Sequence, residues 1–469
     1  MIKYKEIASY IRDKIMRGEW FYGMRIPSQR VLAKQFNVNR VTVIKSIELL
    51  EAEGFVYTMI GSGTYVNNYL DEGYISTKWT EMMKWSYSSR SDYTVQLINK
   101  FETDLNYIHI SKGELSEDLL PHLYLKNALK EVSKYIGNLS FGYNNGFGYN
   151  KLRKLIANRL QHEGINVTQN NILITSGALH AIHLLTTGFL SQNALVFSFT
   201  PSYIDSTHIF NTSNLKQIKI PYSNSQKFNK TIQKYHHYKD KVIYVESTFN
   251  NPTGQSLSSH SKESIIKLSS RHNIPVIEDD IYRDLWFEEK PSPPLKSFDN
   301  IGKVFYISSF SKTLAPALRI GWIAASEKVI EQLADIRMQS DYGSSILSQA
   351  VVYEMLKSGD YDIHLTRLRK ILKDKQNFML RILDKLFSTI ATWHIPLGGF
   401  FIWIKFKDGV NTKKLFLDLL HKEKILLNPG FIYGGEENTI RLSYPFETTD
   451  NIEFALHKIH EYVKHCIDN

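Results

Sequence analysis

A chain of 469 residues, 43% hydrophobic and 13% aromatic, carries enough apolar side chains for two or three cored domains, which excludes intrinsic disorder. The single cysteine, Cys466, lies near the C-terminus, so disulfides and cysteine-based metal sites are excluded, no metal is expected, and a reducing cytoplasm is the natural compartment. The net charge of +10 favours a polyanionic partner, while a charged N-terminus and the lack of any run of about 18 apolar residues exclude a signal peptide and a membrane span.

The first 66 residues read as a DNA-binding unit. Residues 1–70 hold ten Lys/Arg against six Asp/Glu, and no acidic residue falls between Glu19 and Glu48, where Arg25, Arg30, Lys34, Arg40 and Lys45 lie. Ile7, Tyr10, Ile11 and Ile15 recur at helical spacing, and Gly18 closes that helix. Ser28 is the expected N-cap of a second helix with Val31, Leu32 and Phe36 inward. Asn39 caps a third, whose expected apolar face is Val41, Ile44, Ile47 and Leu50, with Val43 a further candidate. Two short apolar runs around Gly61-Ser62-Gly63 form a β-wing, completing a winged helix-turn-helix with the third helix placed for the major groove.

This segment resembles the GntR-type winged helix through Ile-Pro-Ser-Gln-Arg (26–30), Asn-Arg-Val-Thr-Val (39–43), Glu-Gly (53–54) and Gly-Ser-Gly-Thr-Tyr-Val (61–66). The resemblance implies DNA contacts from Ser28, Arg30, Asn39, Arg40 and Thr42, with Gly63 and Thr64 in the wing near the backbone. Arg40 is suited to a guanine edge or to a phosphate. Use of the same surface for protein contact, or of Arg30 in an internal ion pair, is the structural alternative.

Residues 67–100 read as an interdomain linker. Trp79, Met82, Met83 and Trp85 suggest packing against a neighbour, and the serine-rich stretch 86–91 suggests flexibility. Seven short apolar segments follow, at 171–175, 194–199, 216–220, 241–246, 275–280, 304–310 and 319–325, mostly separated by helical lengths. That alternation predicts an α/β domain with a largely parallel sheet covered on both faces, and ligands at the carboxyl ends of its strands.

The chemically informative residues fall at those ends. Lys312 directly follows an apolar strand, where desolvation favours the free amine that attacks a carbonyl. Ser309, Ser311 and Arg319 surround it with groups suited to phosphate, the setting that a pyridoxal 5'-phosphate (PLP) Schiff base requires. Ser176, Gly177 and Ala178 join a strand to a helix N-terminus, a second phosphate-binding feature. Asp279 can keep a pyridine nitrogen protonated, Tyr282 and Asn251 can reach a ring oxygen, and Tyr203 can stack on the ring. Arg441 offers a bidentate partner for an effector carboxylate. Singly each has a structural alternative: an N-cap for Asp279, a core aromatic for Tyr203, a surface ion pair for Arg441, a turn for 250–254.

In this order and spacing they resemble the fold-type I PLP-dependent aminotransferases, from about Ile108 to Ile459, with Gly-Phe-Gly-Tyr (146–149) and Pro-Leu-Gly-Gly-Phe (396–400) included. The resemblance implies a mostly parallel seven-stranded sheet, a smaller α/β subdomain, and a dimer with Tyr143 directed at the partner's phosphate. A GntR-type head at 1–66, a linker at 67–100 and an aminotransferase-like effector and dimerisation domain at 101–469 together resemble the MocR/GabR family of bacterial transcriptional regulators. The expectation is a homodimeric regulator of double-stranded promoter DNA that senses an amino-containing effector, or PLP itself, through the Lys312 aldimine without net turnover. A working aminotransferase with an autoregulatory head is the alternative. Asp205, two residues beyond Tyr203, supplies no cation for a distal carboxylate, which argues against a dicarboxylate or ω-amino acid effector and leaves α-amino acids or PLP alone.

Overall fold

The computed structural model describes residues 3–16, 19–59, 61–67, 93–142, 146–207, 209–221 and 225–468. Gly18, most of the expected linker with its tryptophans and methionines, and Tyr143 lie outside them.

Helix α1 (Lys3–Met16) presents Ile7, Ala8, Ile11 and Ile15 to a core completed by α2 (Gln29–Gln35), α3 (Arg40–Ala52) and the strands β1 (Val56–Met59) and β2 (Gly63–Val66). The two strands pair antiparallel, Val56 opposite Val66. Ser28 caps α2 by accepting the Val31 amide at 3.4 Å, and Asn39 caps α3 by accepting the Thr42 amide at 2.9 Å. The buried face of α3 is Val43, Ser46, Ile47 and Leu50. Val41 is 59% exposed and Val31 53% exposed, so both correct the expected inward pattern. The first turn of a capped helix is set by its cap, and here that setting turns position 43 inward rather than 41.

The last part of the expected linker is a helix, α4 (Tyr93–Phe101), which buries Thr94, Leu97 and Ile98. Leu97 and Ile98 pack with Phe416, Leu420, Leu426, Ile432 and Tyr433, so α4 belongs to the second domain's core.

Seven strands build the main sheet: β3 (Ile172–Thr175), β4 (Leu195–Thr200), β5 (Lys216–Pro221), β6 (Lys241–Glu246), β7 (Val276–Asp279), β8 (Val304–Ser309) and β9 (Gly321–Ala324). Their order is β3-β9-β8-β7-β6-β4-β5. β9 runs antiparallel to both neighbours and the other pairs are parallel. Alternate residues serve opposite faces, as a pleated strand requires. Ile172 and Ile174 join a core with α5 (Asn150–His162), while Leu173 joins one with α6 (Ala178–Phe189). Both faces are therefore apolar, which explains the near-continuous hydrophobic runs of the sequence.

The smaller subdomain is a four-stranded antiparallel sheet of β10 (Ala391–Trp393), β11 (Phe401–Phe406), β12 (Asn428–Pro429) and β13 (Thr439–Ser443), in the order β10-β11-β13-β12. The long helix α7 (Asp360–Phe387) ties the two parts together. Tyr361 and Leu365 sit in the large-domain core, and Leu372 through Phe387 sit in the small-subdomain core with α8 (Thr449–Asp468).

Candidate functional site

A cleft of about 450 Å³ opens where the carboxyl ends of β6, β7 and β8 meet the small subdomain and α4. Ala178, Tyr203, Asn251, Asp279, Tyr282, Ser309, Ser311, Lys312, Arg319 and Arg441 all line it. Ten side chains spread over more than 260 residues of sequence thus converge because strand termini converge. Ser176 and Gly177 stand behind this lining, in contact with Arg319.

Lys312 follows β8 and its Nζ donates to the Gly113 carbonyl at 2.7 Å. Burial pulls its ammonium below the ordinary lysine range, toward the nucleophilic free amine. Asp279 ends β7 and is 6% exposed. Its Oδ2 accepts the Tyr244 hydroxyl at 2.9 Å, whereas Oδ1 is buried without a partner. Burial raises this carboxyl to about 7. A buried carboxylate oxygen without a donor calls for one, and a protonated ring nitrogen is such a donor.

The phosphate side is built from backbone as much as from side chains. Arg319 adopts a left-handed backbone (φ 54°) and its Nη2 donates to the Ser176 carbonyl at 2.8 Å. Gly177 has φ 90°, and a Cβ there would stand 2.7 Å from the same guanidinium nitrogen. Only glycine leaves this space open at the start of α6, whose first amides lack intrahelical acceptors. Ser309 Oγ donates to the Ile320 carbonyl at 3.0 Å and accepts the Ser311 amide at 3.1 Å, folding the turn that carries Lys312. The Ser176 amide donates to His180 Nδ1 at 3.1 Å and is therefore already committed. Burial, reinforced by Arg337, lowers His180 to about 4, so the ring is a neutral acceptor. These features fit a pyridine-ring cofactor that carries a phosphate.

Arg441, on β13, is 4% exposed. It donates to Asn251 Oδ1 at 2.7 Å and to the Ser111 carbonyl at 2.5 Å, lies over the rings of Phe401 and Tyr433, and keeps an unpartnered Nε. The surface ion pair is thereby excluded for Arg441, since the side chain is buried in the cleft wall.

Glu246 escaped the sequence reading. It faces Asp279 across the β6–β7 pair and accepts the Ser202 hydroxyl (2.8 Å), the Tyr203 amide (3.3 Å), the Asn250 side chain (3.1 Å) and the Asn251 amide (2.7 Å). It clasps together the two loops that present Tyr203 and Asn251. Burial, with Asp279 adding to it, raises this carboxyl to about 8. Asp205 points elsewhere: it pairs with Lys219 at 2.9 Å and accepts from Gln217 at 2.7 Å, off the cleft. The argument drawn from it about the effector's charge loses its basis.

On the winged helix, Ser28, Arg30, Asn39 and Arg40 are exposed. Gln29 accepts from Arg40 Nε at 3.0 Å and steadies the guanidinium at the head of α3. The Thr42 hydroxyl donates to Asn39 Oδ1 at 2.6 Å, so both residues are engaged in the cap. Thr64 is 8% exposed and its hydroxyl sits 3.1 Å from that of Thr58, which makes its side chain a wing-pairing group rather than a surface one. Arg25 bridges to Tyr65 of the wing and covers Gly63: a Cβ there would stand 2.5 Å from its Nε.

Among the described residues no cluster of three His, Cys, Asp or Glu could hold a metal, and no helix is long and apolar enough to cross a membrane. The fold and the cleft define an aminotransferase-class domain behind a winged-helix head. Residues 106–459 match the family "Aminotransferase class I and II", and residues 3–66 match "Bacterial regulatory proteins, gntR family". The HTH-type transcriptional regulator NorG of Staphylococcus aureus is 60% identical over 94% of this chain and 100% of its own length. The uncharacterised HTH-type transcriptional regulator YdfD of Bacillus subtilis is 40% identical over 98% of this chain and 96% of its own. Among solved structures, the kynurenine aminotransferase of Pyrococcus horikoshii superposes with a TM-score of 0.76 at 26% identity, covering 87% of this chain and 99% of that one. The chain belongs to the MocR-type family of HTH transcriptional regulators, a GntR head fused to a class I and II aminotransferase domain.

Proposed function

We propose that the protein is a bacterial transcriptional regulator that binds promoter DNA through α3 and the wing, and senses an amino-containing effector through PLP attached at Lys312. The observation that carries this reading is one cleft in which a buried lysine amine, an unpartnered carboxylate oxygen of Asp279 and the guanidinium of Arg441 face a common space. The Pyrococcus relative was solved in complex with PMP, which supports the cofactor, and NorG bears the name of a regulator, which supports the role. PLP, when bound, supplies an electron-withdrawing ring and a carbonyl carbon open to amines. Arg319, Ser309, Ser311 and the 176–178 turn would hold its phosphate, Asp279 its ring nitrogen, Asn251 and Tyr282 its ring oxygen, and Tyr203 its face. Arg441 would orient the effector's carboxylate.

In this reading the chain acts in the cytoplasm as a homodimer. Leu123, Leu129, Ile136 and Phe141, each 44–66% exposed within one stretch, offer an apolar surface suited to such contact. Helix α4 favours coupling between the halves, because it leads directly out of residues 67–92 and its Val95, Ile98 and Asn99 line the cleft. Typical couplings of about 1–3 kcal/mol change affinity some five- to 150-fold. The presence of Lys312, Asp279, Tyr282 and Arg441 together also favours a second reading, an active aminotransferase with an autoregulatory head.

The deciding experiment measures affinity of the purified protein for its own upstream intergenic DNA without PLP, with PLP, and with PLP plus a panel of amino acids. A ligand-dependent change supports the regulator. Specific binding indifferent to every ligand refutes sensing, and steady amino transfer to a keto acid without specific DNA binding favours the enzyme.

A further inference from the structure

We infer that the effector is an α-amino acid with a positively charged side chain, its carboxylate on Arg441 and its distal cation between Glu102 and Glu114. This rests on the reading of the cleft as a PLP-dependent effector site.

Charge is distributed unevenly over the cleft wall. Its cations are Lys312, Arg319 and Arg441, all on the side of the sheet and small subdomain. The carboxylates of the same lining are Asp279 at the end of β7, Glu102 just past the end of α4, and Glu114 beside the Gly113 that receives Lys312. Both glutamates are near enough to favour the charged form of Lys312, yet neither lies within ion-pair distance of it. Glu102 makes no ion pair among the described residues, and Glu114 has only Lys112, at 3.4 Å. Glu102, without an ion pair, and Glu114, with one, therefore border the same cleft as the reacting amine.

Arg441 shows independently that a ligand belongs here. It is 4% exposed, and its Nε has no acceptor although Asn251 and Ser111 engage the rest of the guanidinium. A buried guanidinium N–H lacking a partner is rare unless something supplies one, and a carboxylate fits. With the carboxylate on Arg441 and the amine toward Lys312, the side chain is left to the α4 wall. Val95, Ile98 and Ile432 line the way there and suit a methylene stem, with the two glutamates past it. An anionic side chain would meet like charge, and an uncharged one would leave Glu102 without an ion-pair partner. Lysine, ornithine and arginine share the required chemistry.

The test uses the full chain reconstituted with PLP, titrated with L-lysine, L-ornithine, L-norleucine and L-glutamate, and read by calorimetry and by the cofactor's absorbance. Lysine or ornithine is expected to bind about tenfold or more tighter than norleucine and glutamate. Glu102→Gln is expected to narrow the lysine–norleucine gap to about threefold or less, and Glu102→Lys to turn the preference toward glutamate. Equal affinity for lysine and norleucine in the unaltered protein overturns the inference, as does a preference that survives in the Glu102→Gln/Glu114→Gln double variant. Should a variant fail to fold, loss of the lysine preference at high salt in the unaltered protein reads the same interaction, and salt-insensitivity counts against it. Failure of PLP to produce any lysine-dependent absorbance overturns the cofactor reading and this inference with it. A normal cofactor band without side-chain preference overturns this inference alone.

Discussion

Asp279→Asn separates what the carboxylate costs the empty cleft from what it does for a bound ring. In the folded protein Oδ1 lacks a partner, Oδ2 accepts one bond from Tyr244, and Glu246 stands opposite in the neighbouring strand. The carboxyl sits at about 7, against about 3.9 for an unfolded aspartate. Between those values the folded state keeps a proton that the unfolded chain has lost, so stability falls as pH rises from about 4 to about 7. About three pH units at about 1.36 kcal/mol each place the full effect on the order of 4 kcal/mol above pH 7, and none remains below about pH 4. Asparagine has nearly the same shape and never ionises. Cofactor-free Asp279→Asn is therefore expected to unfold at higher urea than the unaltered protein at pH 8, with the advantage shrinking as pH is lowered toward 4. The same substitution is expected to weaken PLP binding at pH 8 by about tenfold or more, because the ring nitrogen loses a charge-assisted bond. Earlier unfolding of the variant at pH 8, or a difference that does not change with pH, would refute the reasoning.

Three further substitutions test separate parts. Gly177→Ala places a Cβ 2.7 Å from the Arg319 guanidinium at a φ of 90°. Strain of about 1–3 kcal/mol is expected to lower PLP affinity roughly five- to 150-fold in an absorbance titration. Arg441→Gln removes a charged hydrogen-bonding group of the kind worth about 1.5–3 kcal/mol, so amino acid affinity is expected to fall by about one to two decades while PLP still binds. Arg40→Ala is expected to cost about 1–3 kcal/mol of specific DNA binding in an electrophoretic or anisotropy assay. If Arg40 reaches only a phosphate, the loss is instead equal on all sequences and the salt slope drops by about one.

What could be read from the sequence follows from where the signals were local. Six strands of the main sheet were legible as short apolar runs, with Asp279 ending one and Ser176 and Lys312 just past two others, whereas the edge strand β5 alternates Lys216, Gln217 and Lys219 with isoleucines. The caps Ser28 and Asn39 were legible because an N-cap needs a particular side chain at one position. The inward face of α3 was not, since Val41 and Val43 are the same residue type and only the tertiary core distinguishes them. The burial of the Thr64 side chain was not legible for the same reason, as it depends on pairing with Thr58 across the wing. Glu246 went unnoticed because a single carboxylate in a strand signals nothing until four donors from two distant loops are brought to it.

Helix α4 explains why the linker was drawn too long and why that matters for function. Nine residues make too short a helix to be stable alone, so its stability comes from packing. It packs on Phe416, Leu420, Leu426, Ile432 and Tyr433, and two of these, Ile432 and Tyr433, also line the cleft. The cleft is thus walled on one side by sheet ends that bear the chemistry, and on the other by a helix held mainly by apolar contacts. A group that binds between the two walls changes the burial of α4 directly, while the sheet ends stay fixed by their ladders. Since α4 is also the first described element after the winged-helix head, it is the part of the cleft wall with the shortest covalent path to that head. Substitutions that loosen this packing without touching the sheet ends, such as Leu97→Ala, are expected to uncouple DNA affinity from amino acid binding while PLP absorbance persists. If amino acids still modulate DNA binding fully in that variant, the coupling runs by another route.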